Sequence, residues 1–376
     1  MTTPFFETLR LKVGKLGGFH NAHLHLCRAG TFGITEELLR QKEKGTHSHL
    51  SIPTKHGIIP LIHNSPEYEP KRLEGRVRFL LDEMIAAGTT RADTLVDVTT
   101  DRVGRTAFDV FQKLKSDYKG NLDLQIGSYS PLGFTEIDRE AWRLIEETAR
   151  DADFIGGLPE RDDKKLYPDH IGFDESCSRV ISLGHSLNKR IHIHVDQKND
   201  PEERATLQVI SVIDRLKIQT ESSEPMVWLV HVISPSAYND SEFAELTEKL
   251  AERNIGVLCC PSAAISMRQL RPLQTPTHNS IARVLEFLTA GIKLRLGSDN
   301  INDITSPAGT TDLMDEIFVL CNAVRFYEID ILAKIAAGRF LDAGDRNLIA
   351  EHLAKDRAEM QRSIDFVRTQ RQAEVG

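Results

Sequence analysis

Short apolar runs alternate along the chain with longer segments in which apolar residues recur every three or four positions. Eight of the runs have the length and the β-branched content of strands: 16–26, 89–99, 122–129, 152–158, 190–196, 226–233, 255–261 and 292–299. Segments between them, such as 71–88 and 139–151, have the period of amphipathic helices, and several end in Gly or Asn. Eight strands that are each followed by a helix predict a (β/α)8 barrel, the TIM-barrel class of α/β folds.

Two segments depart from this alternation and distort the predicted barrel. Residues 43–70, after the first strand, form a long polar insert on the side where barrel loops build active sites, which predicts a lid. We expect the histidines of the insert to face solvent, with one of them in reach of a substrate: His47, His49, His56 and His63. The chain end has a charged helical pattern. We therefore divide the chain into a barrel of residues 1–345 and a C-terminal helical extension of residues 346–376.

Composition narrows the class of protein. The chain has 376 residues, of which 40% are hydrophobic and 27% charged, as in globular proteins with a large core. Its net charge of −8 gives no electrostatic reason to expect nucleic acid or an anionic membrane as partner. No apolar stretch approaches the roughly 20 residues that cross a bilayer, and no secretion signal is visible. Five cysteines without paired spacing are typical of reduced thiols, so we expect a cytoplasmic protein.

Residues that can bind a metal lie at the ends of four predicted strands. His23 and His25 alternate on the first strand and therefore point to the same face. His194 lies near the C-terminal end of the fifth strand, where barrel active sites are found, and His231 and Asp299 end the sixth and eighth strands. Each residue alone is equally well explained by core packing or, for Asp299, by a helix N-cap. Together they predict a metal site at the mouth of the barrel.

The predicted donor set indicates which ion would bind. Neutral imidazoles with one carboxylate suit Zn²⁺ or Fe²⁺ and leave a coordination position for water. We expect one divalent ion per chain, with Zn²⁺ preferred over Fe²⁺. Such an ion lowers the pKa of a bound water toward about 7, which makes hydroxide available at neutral pH.

The motifs HLHL, HVDQ, VH and SDN resemble those of the amidohydrolase superfamily, and within it those of the cytosine deaminase branch. The stretches TLVDV, DLQI, ADFIGGLPE and SDNINDITSPAG extend the resemblance over nearly the whole barrel. The resemblance implies that His23, His25, His194 and Asp299 bind one metal ion. It also implies that Asp299 accepts the proton of the attacking water, and that His231 orients this water and stabilises the charge that develops.

The chain departs from that branch at positions that contact substrate. The branch has a glutamate in an HxxE motif after the fifth strand, which protonates the ring nitrogen; this chain has Gln197, whose amide cannot pass a proton on. Gln125 matches a glutamine that binds the heterocycle, and Asn300 replaces a second aspartate, so we expect both at the substrate. Leu95 and Thr305 stand where the branch has a histidine and an aromatic residue. The fourth strand lacks the lysine that bridges two metals in binuclear relatives, and no segment matches the branch's β-sandwich domain, so we expect a mononuclear site on a barrel alone.

The missing glutamate leaves three explanations open. Asp93, Asp303 or an acid of the insert supplies the proton instead. Alternatively, the substrate is a cyclic amide or imide that needs no ring protonation, because a metal polarises its carbonyl. In the third explanation, Asp299 alone carries the proton.

The sequence therefore predicts a mononuclear metal-dependent hydrolase that cleaves a non-peptide C–N bond of a small nitrogen heterocycle, with hydrolytic deamination as the first choice. One alternative is ring-opening hydrolysis of a cyclic amide or imide. A second is a catalytically inactive barrel that acts as a binding protein, which Gln197 favours and the retained buried polar residues disfavour. The expected partner is a small heterocyclic substrate, without nucleic acid or membrane, and association into a homo-oligomer stays open.

Overall fold

The computed structural model describes residues 3–40, 50–218, 222–267 and 280–375. The first part of the insert, with His47 and His49, lies outside the described residues. The remainder of the insert, from residue 50 onward, is described.

Eight parallel strands form one sheet in sequence order: β1 (Phe19–Leu24), β2 (Thr89–Asp97), β3 (Asp123–Tyr129), β4 (Phe154–Gly157), β5 (Arg190–Val195), β6 (Val227–His231), β7 (Gly256–Cys259) and β8 (Leu294–Leu296). Each strand lies within one of the eight predicted runs. A parallel bridge between Leu24 and Asp299 joins the end of β8 to β1, so the barrel nearly closes. The predicted (β/α)8 barrel is confirmed.

Helices alternate with the strands: α1 (Pro4–Lys15), α2 (Phe32–Arg40), α3 (Ile52–His56), α4 (Ile59–His63), α5 (Pro70–Ala86), α6 (Thr106–Asp117), α7 (Arg139–Asp151), α8 (Phe173–Ser186), α9 (Ala205–Leu216), α10 (Asp240–Glu252), α11 (Pro261–Ile265), α12 (Val284–Thr289), α13 (Leu313–Ala323), α14 (Ile329–Ala336) and α15 (Ala343–Val375). Short 3-10 turns span Pro66–Tyr68, Pro159–Asp162 and Ser234–Ala237. In the described parts of the chain, no helix is both long enough and apolar enough to cross a membrane.

α10 illustrates how the sequence specifies these outer helices. The side chain of Asn239 accepts a hydrogen bond from the backbone amide of Glu242 at 2.9 Å, and the Glu242 carboxylate accepts one from the amide of Asn239 at 3.1 Å. This capping box satisfies backbone donors at the start of the helix. Phe243, Leu246 and Leu250 then recur at helical spacing and are buried in the core around the barrel.

A charged cluster fills the barrel near the N-terminal ends of its strands. The buried carboxylate of Asp93 lies 3.3 Å from His20 Nε2 and 2.8 Å from Arg190 Nη1, and Arg91 Nε is 3.1 Å away. Burial opposes ionisation, but these neighbours keep the pKa of Asp93 well below its usual range. Asp93 is therefore a paired structural carboxylate away from the mouth, which argues against it among the acids considered as the missing proton donor.

The closure of the barrel depends on a close approach between β1 and the segment after β8. Asp299 donates its amide to the carbonyl of His23, and its own carbonyl accepts from the amide of His25, each at 2.9 Å. Gly297 lies against the same strand, where an added Cβ would be 2.7 Å from both the Cβ and the carbonyl oxygen of His23. Only a residue without a side chain fits there.

Replacing Gly297 by alanine is expected to lower the free energy of unfolding by about 1–3 kcal/mol, because the new methyl group must displace strand β1. Urea denaturation measures this change. Gly75→Ala in α5 is the matched control, since nothing lies within 4 Å of its added Cβ; it should be neutral or stabilising by up to about 1 kcal/mol. Wild-type stability in Gly297→Ala would contradict the close approach.

Candidate metal centre

The barrel brings four predicted residues together at its C-terminal mouth. His23, His25, His194 and Asp299, here called the ligand cluster, are buried and offer donor atoms that all lie within 4.8 Å of one another. His194 Nε2 is 3.1 Å from His23 Nε2 and 3.3 Å from His25 Nε2, and His25 Nε2 is 3.3 Å from Asp299 Oδ1. Ligands on a tetrahedral Zn²⁺ with bonds near 2.1 Å are separated by about 3.4 Å. The spacing of the cluster therefore fits a single ion.

The charge states of the cluster also suit a cation. Burial, together with the neighbouring imidazoles, lowers the pKa of His23 and of His194 well below the usual value, so both present neutral lone pairs. Burial opposes the ionisation of Asp299, yet its contacts with His25 and His231 lower its pKa and keep it a carboxylate. Asp299 Oδ1 is buried and makes no hydrogen bond to any residue that the structure describes. An unpaired buried carboxylate oxygen is costly, and a bound cation would compensate it.

The tautomer of His194 is set by a neighbouring strand. Its Nδ1 donates to the carbonyl oxygen of Gly157, the last residue of β4, at 3.0 Å. Nε2, the nitrogen that faces the cluster, therefore carries the lone pair that a metal requires.

Two strand ends at the mouth have left-handed backbone. Asp299 has φ 61°, and His231 and Val232 have φ 78° and 51°. Such conformations cost non-glycine residues about 1–3 kcal/mol each and are typical of functional sites. Here they turn the chain at the positions where two predicted site residues meet.

His231 lies next to the ligand cluster. Its Nε2 is 3.9 Å from Asp299 Oδ2, and its Nδ1 is buried without a hydrogen-bond partner among the described residues. Burial lowers the pKa of His231, so the imidazole is neutral. The arrangement places a neutral imidazole beside the carboxylate oxygen that does not face His25.

Two further predicted residues lie at the mouth, and one does not. Gln197 is buried and donates from Nε2 to Glu160 Oε2 at 3.3 Å. Asn300 follows Asp299, and its enclosed Oδ1 has no hydrogen-bond partner in the described ranges. Gln125 is instead the third residue of β3, and its Nε2 donates to Asp123 Oδ1 at 2.6 Å. At about 3.3 Å per residue, four residues along β3 separate it from the mouth by about 13 Å. The expectation that Gln125 contacts the substrate is therefore corrected. The residue of β3 that lies at the mouth is Tyr129, which ends the strand.

A cavity of about 590 Å³ lies at the mouth. Its wall combines residues 50–53, 55 and 56 of the insert with side chains from distant loops: Leu158, Glu160, Arg161, Leu166, Tyr167, Gln197, Lys198, Ser266, Met267, Thr305 and Pro307. His56 is the insert histidine that reaches this space. Burial and the charges of Arg28 and Arg161 lower its pKa to about 3, so it is a neutral donor or acceptor at neutral pH.

His63, by contrast, does not face solvent, so that expectation is wrong. Its side chain is fully buried, with Nδ1 2.6 Å from Asp101 Oδ2 and Nε2 3.2 Å from Asp97 Oδ2. Asp97 also pairs with Arg28 at 3.2 Å and accepts from Tyr68 at 2.8 Å. These bonds anchor α4 of the insert to the end of β2.

Comparison with known proteins finds distant relatives. No family model matches the chain. A protein of Haemophilus influenzae strain Rd, described as uncharacterized, is 27% identical over 286 residues, which are 75% of this chain and 95% of that protein. A pterin deaminase of Rhizobium rhizogenes strain K84 is 23% identical over 256 residues, which are 68% of this chain and 54% of the pterin deaminase. The match thus spans about half the length of that enzyme.

A solved structure shares the barrel. The crystal structure of a 5-methylcytosine deaminase from Klebsiella pneumoniae, liganded with phosphonocytosine, superimposes with a TM-score of 0.71 at 19% identity. The superposition covers 85% of this chain and 73% of the deaminase. This likeness establishes the common fold.

Several residues at the mouth escaped the sequence analysis. The ring of Tyr129 lies 5.4 Å from that of His25 and 5.7 Å from that of His194, and Glu160 contacts Gln197 in the cavity wall. Tyr129 is the last residue of β3, and Glu160 lies three residues after β4. A search of every polar side chain within three positions of a predicted strand end would have found both.

Protein purified without added metal or chelator is expected to carry about one Zn or Fe per chain, measured by elemental mass spectrometry. Asp299→Asn should bind Zn²⁺ at least about tenfold more weakly, because it removes the charged ligand. Glu316→Gln is the matched control: Glu316 is also a buried carboxyl, but it accepts a hydrogen bond from Ser262 at 2.8 Å outside the cluster. A wild type that is metal-free and takes up no added Zn²⁺ would refute the metal centre.

The anchor of the insert is expected to weaken as pH rises. Burial disfavours the charged form of His63, but hydrogen bonds from its ring to Asp101 and Asp97 outweigh it and raise its pKa. A raised folded-state pKa stabilises fully below the unfolded value of about 6.5, and this contribution is lost as pH rises through the folded value. His63→Gln should therefore lose more unfolding free energy, relative to wild type, at pH about 6 than at pH about 9. Exposed His185→Gln is the control; a loss that grows with pH would contradict the assignment.

Proposed function

We propose that this protein is a mononuclear metal-dependent hydrolase that deaminates a small nitrogen heterocycle. The observation that carries the proposal is the buried ligand cluster at the C-terminal mouth of a barrel, in which burial lowers the pKa of all three histidines and one carboxylate lies beside them. A cavity of about 590 Å³ at the same mouth has room for a heterocycle of one or two rings. The relatives agree in chemistry, because one is described as a pterin deaminase and a structural neighbour as a 5-methylcytosine deaminase.

Each residue at the mouth has a place in this reaction. An ion held by the ligand cluster would acidify a bound water and polarise the carbon under attack. Asp299 uses the oxygen that faces His231 to accept the proton of the attacking water, and later passes it to the departing amine. His231 donates a hydrogen bond to the oxygen on which negative charge develops. The net reaction exchanges C–NH2 and water for C=O and ammonia.

Ring-opening hydrolysis of a cyclic amide or imide is the second candidate, and Gln197 is the observation that favours it. An amide at this position cannot protonate a ring nitrogen, and such a substrate does not require that step. The two reactions differ in their products, because ring opening releases a carboxylate and no ammonia. An inactive barrel that only binds a heterocycle is the third candidate.

Four further features belong to this proposal. The ion is Zn²⁺, with Fe²⁺ as the alternative, and Asn300 contacts the substrate beside Asp299. Residues 1–345 act as one catalytic barrel, with residues 346–376 as an extension and the insert as a lid. The protein works in the cytoplasm, in keeping with five cysteines that are all buried and unpaired.

Incubation of the zinc-loaded protein with pterin is expected to release ammonia, measured by a coupled assay. Cytosine is the poorer candidate, because the chain departs from the cytosine deaminase branch at positions that contact substrate. Asp299→Asn should lower kcat by about 10²–10⁴-fold, because the proton acceptor and a ligand are both lost. Glu316→Gln should keep wild-type turnover. Ring opening is tested separately, with hydantoin as the substrate in place of the aminated heterocycles. A pH-stat would detect this reaction as released acid. If zinc-loaded protein forms neither product, the hydrolase proposal fails and the binding role becomes the better explanation.

A further inference from the structure

Among the described residues, two carboxyl groups near the mouth are already used in holding the backbone. Asp196 accepts hydrogen bonds from the amides of Ala205 and Thr206, at 2.8 and 3.1 Å, and so caps α9. Asp303 accepts from the amides of Thr305 and Ser306, at 2.8 and 2.9 Å, and so shapes its own loop. Neither carboxyl lines the cavity described above.

Glu160 is the one carboxylic acid among the described residues that line this cavity. It lies in the 3-10 turn Pro159–Asp162, three residues after the end of β4. β4 is the strand next to β5, which carries His194. The turn therefore places the carboxyl group of Glu160 at the C-terminal end of the strand that neighbours the one carrying His194.

The two oxygens of Glu160 have different surroundings. Oε2 accepts a hydrogen bond from Gln197 Nε2 at 3.3 Å. Oε1 is enclosed and has no hydrogen-bond partner among the described residues, although the residue as a whole is half-buried. Gln197 thus holds the carboxyl through one oxygen and leaves the other free to donate a proton.

The surroundings of Glu160 favour its neutral form. Burial, and after it the negative charge of Glu203, raises the pKa of Glu160 to about 8, while Lys198 and a hydrogen bond from the backbone of Gln197 oppose the rise. Lys198 lowers the pKa of Glu160 only in part, because its Nζ also pairs with Glu203 at 3.4 Å. The negative charge of Asp196 raises this pKa further. At neutral pH this carboxyl carries a proton, as a general acid must.

We propose that Glu160 is the general acid of the reaction and takes the role that Gln197 cannot perform. This inference rests on the proposed function. Gln197 is a positioning residue: its amide donates to Glu160 and aims the protonated oxygen at the ring nitrogen next to the carbon under attack. The proposed general acid therefore lies after β4. In the cytosine deaminase branch, which the chain resembles, the corresponding glutamate lies after the fifth strand.

The proton transfers balance around this pair of carboxyls. As the water oxygen bonds to carbon, one water proton passes to Asp299 and the proton of Glu160 passes to the ring nitrogen. The C–N bond to the amine then breaks, with the proton of Asp299 leaving on the amine as ammonia. The hydroxyl proton returns to Glu160 as C=O forms. Both carboxyls end in their starting states, and no further reactant is needed.

The test exchanges the two side chains. With zinc-loaded protein and pterin or cytosine as probes, Glu160→Gln should lower kcat by about 10²–10⁴-fold, with little change in KM or in zinc content. The double variant Glu160→Gln/Gln197→Glu, which restores a carboxyl and an amide in swapped places, should recover at least about tenfold of this loss. A residue with a purely structural role would not be rescued by the swap.

Two measurements distinguish a general acid at Glu160 from a residue with another role. Wild-type kcat/KM should fall as pH rises through about 8, because the acid must be protonated, and Glu160→Gln should lack this alkaline decline. Infrared titration without substrate should show a protonated carboxyl at neutral pH that Glu160→Gln lacks. An ionised Glu160 at neutral pH would overturn the inference without any substrate.

The outcomes distinguish the two proposals. If the wild type releases ammonia and Glu160→Gln does so equally fast, only the role of Glu160 is overturned. If the zinc-loaded wild type hydrolyses neither probe, the proposed deamination fails and the inference falls with it. Glu316→Gln, which removes a buried carboxyl of α13 outside the cavity wall, should match the wild type in turnover, KM and zinc content. In the infrared titration it should lose only the band of Glu316 and keep the band that Glu160→Gln lacks.

Discussion

The candidate site exists because the segment after β8 reaches β1. Asp299 is hydrogen-bonded through its backbone to His23 and His25, the two residues whose imidazoles its carboxylate meets. The same backbone contacts therefore close the barrel and bring Asp299 to the two histidines of β1. Gly297 makes the approach close enough, because any side chain there would overlap His23. Strand β5 then completes the cluster from across the mouth with His194.

The interior of the barrel holds two layers of polar side chains. They differ in whether the negative charge of their buried carboxylate is balanced by cationic side chains. Near the N-terminal ends of the strands, the carboxylate of Asp93 pairs with Arg91 and Arg190, so the protein itself supplies cations for this charge. At the mouth, the carboxylate of Asp299 meets neutral imidazoles, and its Oδ1 makes no hydrogen bond within the described parts of the chain. A buried negative charge without a cation is costly. This difference in charge balance is why we interpret the layer around Asp93 as structural and the layer around Asp299 as a candidate metal centre.

The cavity wall is assembled from segments that are far apart in the chain. The insert contributes His56, the turn after β4 contributes Glu160, and the loop after β5 contributes Gln197. His63 holds the insert to the end of β2 through two carboxylates, which ties this wall to the frame of the barrel. The proposed chemistry thus depends on contacts between loops, while the barrel strands supply the ligand cluster.

The sequence by itself determined the barrel and the ligand cluster. Strands and helices follow from the period of apolar residues, and His23, His25, His194 and Asp299 stand at strand ends, which a parallel barrel brings to one mouth. The place of Gln125, the burial of His63 and the contact between Gln197 and Glu160 were decided only by the tertiary structure. Gln125 matched a motif, but its place along β3 set it about 13 Å from the mouth. His63 and Glu160 owe their surroundings to partners 34 to 38 residues away, and local periodicity carries no information about such contacts.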